Sequence, residues 1–383
     1  MSSEIDTISG SANLQTLEAT VTDNGTKNFE PEQGYDGFSS VDITFANPKD
    51  KNWSALGFSN DEPQDYIDDG YDYALQIISG WNNVSNLTRK FLSDGRLKYF
   101  PLVDTSNATQ MQSTFSDCGG LELIAPINTS SVRNMSYMFA YSSGLMYVPN
   151  LNMDKVTNVT QMFRECKSLK ALPTTLNLSK CSSIQYICSN CPSLTTVPTL
   201  DLTTCTDASY AFQKCFKLKT LTLTNTSALT NLSYFLDMSN SSGNTSDFTT
   251  LTIPDTSKVI TFSYAFRHCV SLVTAPNMDL SKATTVASMF SGCTSLTDVP
   301  LYNLANVNNS ATSINYMFDN CTNLTDTSLD NILQMCISAV KITTSSYKKL
   351  ATLGFKSTYY PAARIQALPH YQDFIDAGWI IGY

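Results

Sequence analysis

Side chains that could perform catalysis are few in this 383-residue sequence. It has two histidines, His268 and His370, and no motif of a phosphate-binding loop, a serine hydrolase or a zinc protease accompanies them. Cys188 and Cys191 have the Cys-x-x-Cys spacing of a redox centre or of half a zinc site, but no second pair completes such a site. The sequence therefore predicts no catalytic residues, no metal site and no cofactor.

Tyrosines recur at one position of a sequence repeat and form the candidate ligand-binding set. They stand two residues before an anchor residue in six copies of the repeat: Tyr137, Tyr186, Tyr210, Tyr234, Tyr264 and Tyr316. A row of tyrosines offers aromatic contact area and polar hydroxyls, which suits the binding of sugars or of a partner protein. The alternative is structural, because neighbouring rings could stack on one another and stiffen the array.

The repeat that carries these tyrosines has a period close to 24 residues. Its ten anchors are Phe91, Phe115, Phe139, Phe163, Cys188, Phe212, Leu236, Phe266, Phe290 and Phe318. A fixed period in the twenties is typical of a solenoid. Apolar residues four and one before the anchor, together with the anchor, fit one face of a short helical turn, and a short strand follows. The sequence therefore predicts an α/β solenoid of about ten 24-residue repeats.

Most of the cysteines belong to the repeat. One slot, three residues after the anchor, holds Cys118, Cys166, Cys191, Cys215, Cys269, Cys293 and Cys321, with Ser142 and Ser239 in the same slot elsewhere. A slot that accepts cysteine or serine predicts a small buried side chain. In this register Cys188 is an anchor and Cys191 an ordinary occupant of the slot. We therefore expect reduced thiols and no functional thiol pair.

The repeat predicts three segments along the chain. Residues 1–75 lie outside it and contain two strand candidates, 17–22 and 41–45, so we expect a small β module followed by an acidic linker at 61–72. The spacing of the acidic residues does not match a calcium-binding EF-hand loop. Residues 76–324 form the predicted solenoid. Residues 325–383 are the predicted cap, with helices at 328–337 and 346–353, because a solenoid must cover its last core face.

The overall charge excludes several classes of partner. The net charge is −9, from 24 basic and 33 acidic residues, which argues against nucleic acid and anionic membranes. No apolar run approaches the roughly 20 residues that span a bilayer, so we expect no membrane insertion. The first residues, Met1 to Thr7, lack the basic and apolar parts of a secretory signal. We therefore expect synthesis in the cytoplasm without export.

Two stretches resemble known families. The unit Met-Phe-x-x-Cys-x-x-Leu-x-x-(Leu/Val)-Pro, clearest at 162–169 and 289–296, resembles the BspA-like leucine-rich repeats. That resemblance implies a leucine-rich repeat fold and ligand binding without catalysis. Residues 15–45 are similar to a short β module of bacteriophage virion proteins and gut-bacterial surface proteins. The chain end, with Asp376-Ala377-Gly378-Trp379, looks like the end of similar repeat proteins.

These resemblances imply a non-enzymatic virion protein of a phage that infects gut bacteria, such as a tail or head appendage present in multiple copies. Residues 1–75 would bind other virion proteins, and the repeats would present a surface to a host receptor protein or glycan. One alternative is a bacterial cell-surface adhesin. Another is a purely structural virion component that contacts no host molecule.

Overall fold

The computed structural model describes residues 26–29, 41–44, 85–95, 97–100, 105–240, 243, 245–304, 306–307, 314–339, 355 and 357–379. The chain forms two compact units, residues 1–177 and 178–383. The predicted strand at 17–22, the acidic linker at 61–72 and the predicted helix at 346–353 lie outside the described residues. The predicted domain limits at 75 and 324 stay predictions.

The N-terminal region contains one pair of described strands, β1 (Thr26–Phe29) and β2 (Val41–Thr44). The two strands pair antiparallel, with Thr26 opposite Thr44 and Phe29 opposite Val41. The strand predicted at 41–45 is confirmed. The structure adds β1, which was not predicted.

Short parallel strands form one side of the repeat coils. The first unit contains β3 (Tyr99–Phe100) and β4 (Leu123–Ile124), which pair in parallel. The second unit contains β5 (Leu200–Asp201), β6 (Thr220–Thr224), β7 (Thr250–Thr252), β8 (Met278–Asp279) and β9 (Leu301–Tyr302). The register joins residues about one repeat apart, such as Leu200 with Leu223. Each unit is therefore a stack of coils, as the period predicts.

The segment around each anchor is a run of consecutive turns, so the predicted helical turn is wrong. Around Phe115, backbone amides alternate in direction. Those of Met111, Ser113, Phe115 and Asp117 donate to carbonyls 23 residues further along the chain, whereas those of Thr114 and Ser116 donate three residues back. An α-helix cannot alternate in this way, because all its amides point along its own axis. Between residues 85 and 324, the described part of the chain contains no helix.

Positive φ angles at two positions of nearly every coil accompany this alternation, and the coil of Leu236 has one, at Tyr234. In the coil of Phe115, φ is +54° at Ser113 and +60° at Asp117, two residues before and after the anchor. The turns still place Met111, Thr114, Phe115 and Cys118 inside, at the spacing i, i+3, i+4 and i+7. That spacing is shared with a helix, and this is why the sequence pattern indicated one.

Anchor side chains form the core. In the first unit, the rings of Phe91, Phe115, Phe139 and Phe163 stack at centroid distances of 5.5 to 5.6 Å with nearly parallel planes. In the second unit, Phe266, Phe290 and Phe318 stack at 5.3 and 5.8 Å. Rings that stack one coil apart pack the interior at a constant spacing, which favours a fixed repeat length.

The cysteine slot has a polar role as well as a steric one. Its thiols donate to the carbonyl oxygen of the anchor in the preceding coil, at 2.8 to 3.3 Å from sulfur to oxygen, at Cys118, Cys166, Cys215, Cys269, Cys293 and Cys321. The Ser142 hydroxyl donates to the Phe115 carbonyl in the same way. The slot therefore selects a small side chain that is also a hydrogen-bond donor. All eleven cysteines are free and buried.

The cysteine slot gives a prediction with a matched control. Cys293→Ala loses the hydrogen bond to the Phe266 carbonyl and leaves a small void, so we expect a loss of about 1–3 kcal/mol in unfolding free energy. Cys293→Ser retains the donor, as Ser142 does naturally, and should lose less. Urea denaturation followed by circular dichroism measures both variants. Equal losses would contradict the hydrogen-bonding role.

The described residues after the repeats contain three helices, α1 (Asp326–Ile337), α2 (Ala362–Gln366) and α3 (Tyr371–Asp376). The helix predicted at 328–337 is confirmed as α1, which begins two residues earlier because the Thr325 side chain caps its first turn. Phe355 stacks on Phe318 at 6.3 Å, and the Tyr360 hydroxyl donates to the Cys321 carbonyl. These contacts place the C-terminal segment against the last anchor.

Candidate functional site

All six predicted site tyrosines lie at the first positive-φ position of the turn run. Their φ angles are between +55° and +60°, at Tyr137, Tyr186, Tyr210, Tyr234, Tyr264 and Tyr316. Five of the side chains are half-buried, and Tyr316 is 54% exposed. The tyrosines therefore lie at the surface of the coils, in the turn run and outside the strands.

Four of the six tyrosines form a continuous stack within the second unit. The ring centroids of Tyr186 and Tyr210 are 4.4 Å apart, those of Tyr210 and Tyr234 4.5 Å, and those of Tyr234 and Tyr264 4.6 Å. The planes of adjacent rings differ by 6° to 17°. We call these four residues the tyrosine ladder. The structural alternative from the sequence, stacking between neighbours, is thus what the structure shows at these positions.

Tyr137 and Tyr316 are not part of the ladder. Tyr137 belongs to the first unit, and its hydroxyl accepts a hydrogen bond from the Gln161 side chain at 2.6 Å, from the equivalent position one coil on. The equivalent position one coil before Tyr316 is Ser288. A tyrosine stacks here only where an adjacent coil, before or after it, also supplies one.

Stacking decides which parts of the ladder a ligand can reach. Each inner ring, Tyr210 and Tyr234, has a tyrosine against both faces at van der Waals distance. A sugar ring therefore cannot lie flat on them in the way that isolated aromatic side chains permit. The half-buried side chains present only ring edges and hydroxyls to solvent.

A row of hydrogen-bonded side chains accompanies the ladder, and sequence analysis missed it. The row comprises Ser189, Gln213, Asp237 and Arg267, each one residue after an anchor. Ser189 donates to Gln213 at 3.2 Å, and Gln213 donates to Asp237 at 3.1 Å. We call these four residues the polar row. The same spacing that revealed the tyrosines could have revealed them, but their types differ from coil to coil.

An ion pair ends the polar row. The Arg267 guanidinium donates to both carboxylate oxygens of Asp237, at 2.8 and 2.9 Å, and the Asp237 side chain is 1% exposed. Hydrogen bonding to Asp237 raises the pKa of Arg267. The guanidinium also lies 4.6 Å from the ring centroid of Tyr264 and 5.9 Å from that of Tyr234, within cation–π range. Because the two charges neutralise each other, they leave no net charge beside the ladder.

Ionisation of the two inner tyrosines of the ladder is suppressed. Burial, and then the negative charge that Tyr186 or Tyr234 would carry if ionised, raise the pKa of Tyr210 to about 12. Burial likewise raises the pKa of Tyr234. The hydroxyls of Tyr210 and Tyr234 therefore remain neutral donors and acceptors throughout the physiological pH range.

This shift predicts a loss of stability at alkaline pH. Tyr210 and Tyr234 hold their protons more tightly in the folded chain than in an unfolded chain, whose tyrosines titrate near pH ~10, so the stability that these two residues contribute is complete below that pH. It should be lost as the pH rises from there to about 12. Tyrosinate absorbance should show a late-ionising group that is absent in Tyr210→Phe. A difference between the two proteins centred near pH ~10 would contradict the shift.

The residues considered first for chemistry occupy structural positions. Cys188 and Cys191 are both buried, and the Cys188 carbonyl accepts the Cys215 thiol. His370 contacts the Asp330 carboxylate at 2.7 Å, and His268 lies exposed at the second positive-φ position of its coil. Within the described residues, no three histidine, cysteine or acidic side chains are grouped so that they could hold a metal ion.

The stacked coils, with a leucine at the same interior position of nearly every repeat, define a leucine-rich repeat protein. The chain belongs to the family described as "Mycoplasma protein of unknown function, DUF285", whose model matches residues 86–199 and 206–332. No curated protein matches the sequence. None of the helices in the described residues has the length and apolar character to span a bilayer.

Several solved structures are similar to this chain. A leucine-rich cell-surface protein from Faecalibacterium prausnitzii is 18% identical, over 66% of this chain and 71% of its own, with a TM-score of 0.33. A leucine-rich repeat protein from Bacteroides ovatus is 13% identical, over 70% and 90%, with a TM-score of 0.23. An internalin from Listeria monocytogenes is 13% identical, over 65% and 80%, with a TM-score of 0.22. These similarities carry no argument about ligands, and the predicted phage origin gains no support from them.

Proposed function

We propose that this chain is a non-catalytic binding protein, and that the hydroxyl edge of the tyrosine ladder contacts a neutral glycan. The observation that supports this proposal most directly is that successive coils use tyrosine at a position with a positive φ. The left-handed conformation costs an L-residue roughly 1–2 kcal/mol. The residue type at the other positive-φ position varies from coil to coil, as at Glu165, Asn190 and Lys214. Four successive coils nevertheless retain tyrosine at the first position, which suggests that the phenol has a use.

The chemistry of the ladder favours a neutral ligand with repeated hydroxyls. Its phenols recur once per coil and lie beside a polar row whose only charges form an ion pair. An oligosaccharide presents donors and acceptors at repeated intervals and carries no charge that must be desolvated. Ring edges add apolar contact with its C–H groups. A charged polymer would find no unpaired counter-charge in the polar row.

We propose that the protein is displayed on the surface of a particle or cell. Residues 1–75 would attach it there in multiple copies, with the repeats facing outward. The resemblance of 15–45 to virion modules supports a phage appendage, and the alternative is a bacterial cell-surface adhesin. Antibodies against residues 178–383 should label either intact phage particles or intact cells of the source organism. Labelling of neither, with antigen confined to broken cells, would overturn both forms of display.

Stacking supports a second candidate function, a purely structural one. Four rings in van der Waals contact stiffen successive coils whether or not a ligand binds. If this were their whole role, removing the hydroxyls while keeping the rings would leave any binding unchanged. Tyr210→Phe and Tyr234→Phe make that change with little effect on the stack.

Binding of the purified full chain to a neutral-glycan array and to intact gut-bacterial cells tests the proposal. We expect saturable binding that is selective among glycans and is weakened when Tyr210 and Tyr234 are both replaced by phenylalanine. Tyr147→Phe, which changes a tyrosine of the first unit, is the matched control and should bind as the original chain does. Absence of binding, or binding that the double substitution leaves unchanged, would contradict the proposal.

A further inference from the structure

We propose that the tyrosine ladder is an oxidative cross-linking site, at which adjacent tyrosines of one chain couple to dityrosine. This inference goes beyond the binding function and does not depend on it. The main product joins Tyr186 to Tyr210, which lie one coil apart.

The geometry places the reacting rings together before any oxidant arrives. The centroids of Tyr186 and Tyr210 are 4.4 Å apart, and their planes differ by 11°. Both side chains are half-buried, so their ring edges are accessible to a small oxidant while the backbone holds the rings in place. Reactions between groups held in this way are much faster than the same reactions between separate molecules. Coupling within the ladder should therefore precede coupling between chains.

The required oxidant is a peroxide acting through a one-electron peroxidase. Each tyrosine loses one electron and its phenolic proton, giving two phenoxyl radicals. A carbon–carbon bond forms between the ring carbons ortho to the two oxygens, and the two ortho hydrogens move to the oxygens and restore both phenols. The two electrons and two protons reduce one hydrogen peroxide to two waters. The rings must hinge apart after the bond forms, which their exposed edges permit.

The thiols and most of the methionines in the described repeats are shielded, with Met146 half-buried. All eleven cysteines are buried. Burial raises the pKa of Cys215 and Cys293, so the reactive thiolate is scarce. The interior methionines, such as Met162 and Met289, are likewise fully buried. The half-buried tyrosine edges are therefore more accessible to an oxidant than the thiols.

Arg267 biases the coupling toward one end of the ladder. Its guanidinium lies over Tyr264 at 4.6 Å and near Tyr234 at 5.9 Å. A cation over an aromatic ring makes removal of an electron from that ring less favourable. Tyr186 and Tyr210 lie at the end of the ladder away from Arg267, and their ring centroids are also the closest of the three stacked pairs. The Tyr186–Tyr210 product should consequently exceed the Tyr234–Tyr264 product.

The test is to treat the folded full chain with peroxidase and hydrogen peroxide at low protein concentration and to map dityrosine by proteolysis and mass spectrometry. We expect monomeric protein with the Tyr186–Tyr210 link as the main product. Tyr210→Phe should abolish that link and leave Tyr234–Tyr264, whereas Tyr316→Phe, outside the ladder, should change neither. The same treatment of the chain in urea should give little ladder product.

Three results would overturn the inference. One is dityrosine confined to exposed tyrosines such as Tyr141 and Tyr359. Another is dityrosine present only in covalent dimers. The third is an equal yield of the Tyr186–Tyr210 link from folded and urea-unfolded chains, because the coupling would then owe nothing to the stacked geometry.

Discussion

Phe290→Ala is expected to lower the free energy of unfolding by about 3–5 kcal/mol, the usual cost of deleting a fully buried phenylalanine ring. The ring is 0% exposed and lies between Phe266 at 5.3 Å and Phe318 at 5.8 Å. Its removal would leave a cavity that the neighbouring coils cannot close, because backbone hydrogen bonds fix their spacing. Urea denaturation followed by circular dichroism gives the loss as a shift of the midpoint.

The matched control is Phe290→Leu, because Leu236 occupies the anchor position naturally. A leucine fills most of the same volume, so we expect a loss of about 1–2 kcal/mol. If both substitutions cost the same, volume at the anchor would not be what stabilises the coil. If neither changed the midpoint, the stacked core itself would be in doubt.

Asp237→Ala is expected to cost about 3 kcal/mol, because it leaves the Arg267 guanidinium without its buried partner. The carboxylate is 1% exposed and accepts hydrogen bonds from Arg267, Gln213 and Ser239, all of which would be lost together. Arg267 is 28% exposed and can recover some hydration, which puts the expected cost at the lower end for a broken buried pair. Thermal and urea unfolding measure this loss.

A surface ion pair of the same unit provides the control. Lys217 and Asp247 lie 3.3 Å apart, with side chains 58% and 33% exposed, so Lys217→Ala should cost less than about 1 kcal/mol. Replacing Asp237 and Arg267 together by leucine should cost less than Asp237→Ala alone, since no uncompensated charge remains. A double variant as unstable as the single one would show that shape, rather than charge, makes Asp237 necessary.

Periodicity made the anchors and the cysteine slot predictable. Residues that recur every 24 positions must occupy equivalent places, and small or apolar types at those places must face the interior. The hydrogen bond from the cysteine slot to the preceding anchor carbonyl was not predictable in the same way. It depends on the distance between coils. The serine found in the slot could be explained by its small size alone, so it did not reveal the need for a hydrogen-bond donor.

The turn run could not be distinguished from a helix by its apolar pattern. Both place residues i, i+3 and i+4 on one side, and only the direction of alternate amides separates them. Tyrosine at a φ near +57°, as at Tyr137 and Tyr234, is atypical enough that sequence propensity does not suggest it. Backbone geometry of this kind emerges from contacts between coils rather than from a local stretch of sequence.

Which tyrosines stack also depended on neighbours. The ladder spans four successive repeats that all supply tyrosine. By contrast, the equivalent residue is Ser288 in the repeat before Tyr316 and Gln161 in the repeat after Tyr137. The position of a tyrosine within the repeat could be predicted from a single repeat, but its stacking could be predicted only by comparing adjacent repeats. The polar row was missed for a related reason, since Ser189, Gln213, Asp237 and Arg267 share a role but not a residue type.

The most direct test of the binding role of the ladder is a comparison of two equilibrium affinities for the tightest-binding neutral glycan of the array. One is the affinity of the original chain, and the other is that of the Tyr210→Phe, Tyr234→Phe double variant. If the hydroxyl edge makes the contact, the double variant should bind about tenfold more weakly, the loss expected for one or two hydrogen bonds. Its unfolding free energy should stay within about 1 kcal/mol of the original, because the rings remain stacked. Equal affinities of the two proteins would contradict a binding role and leave the ladder as a structural stack.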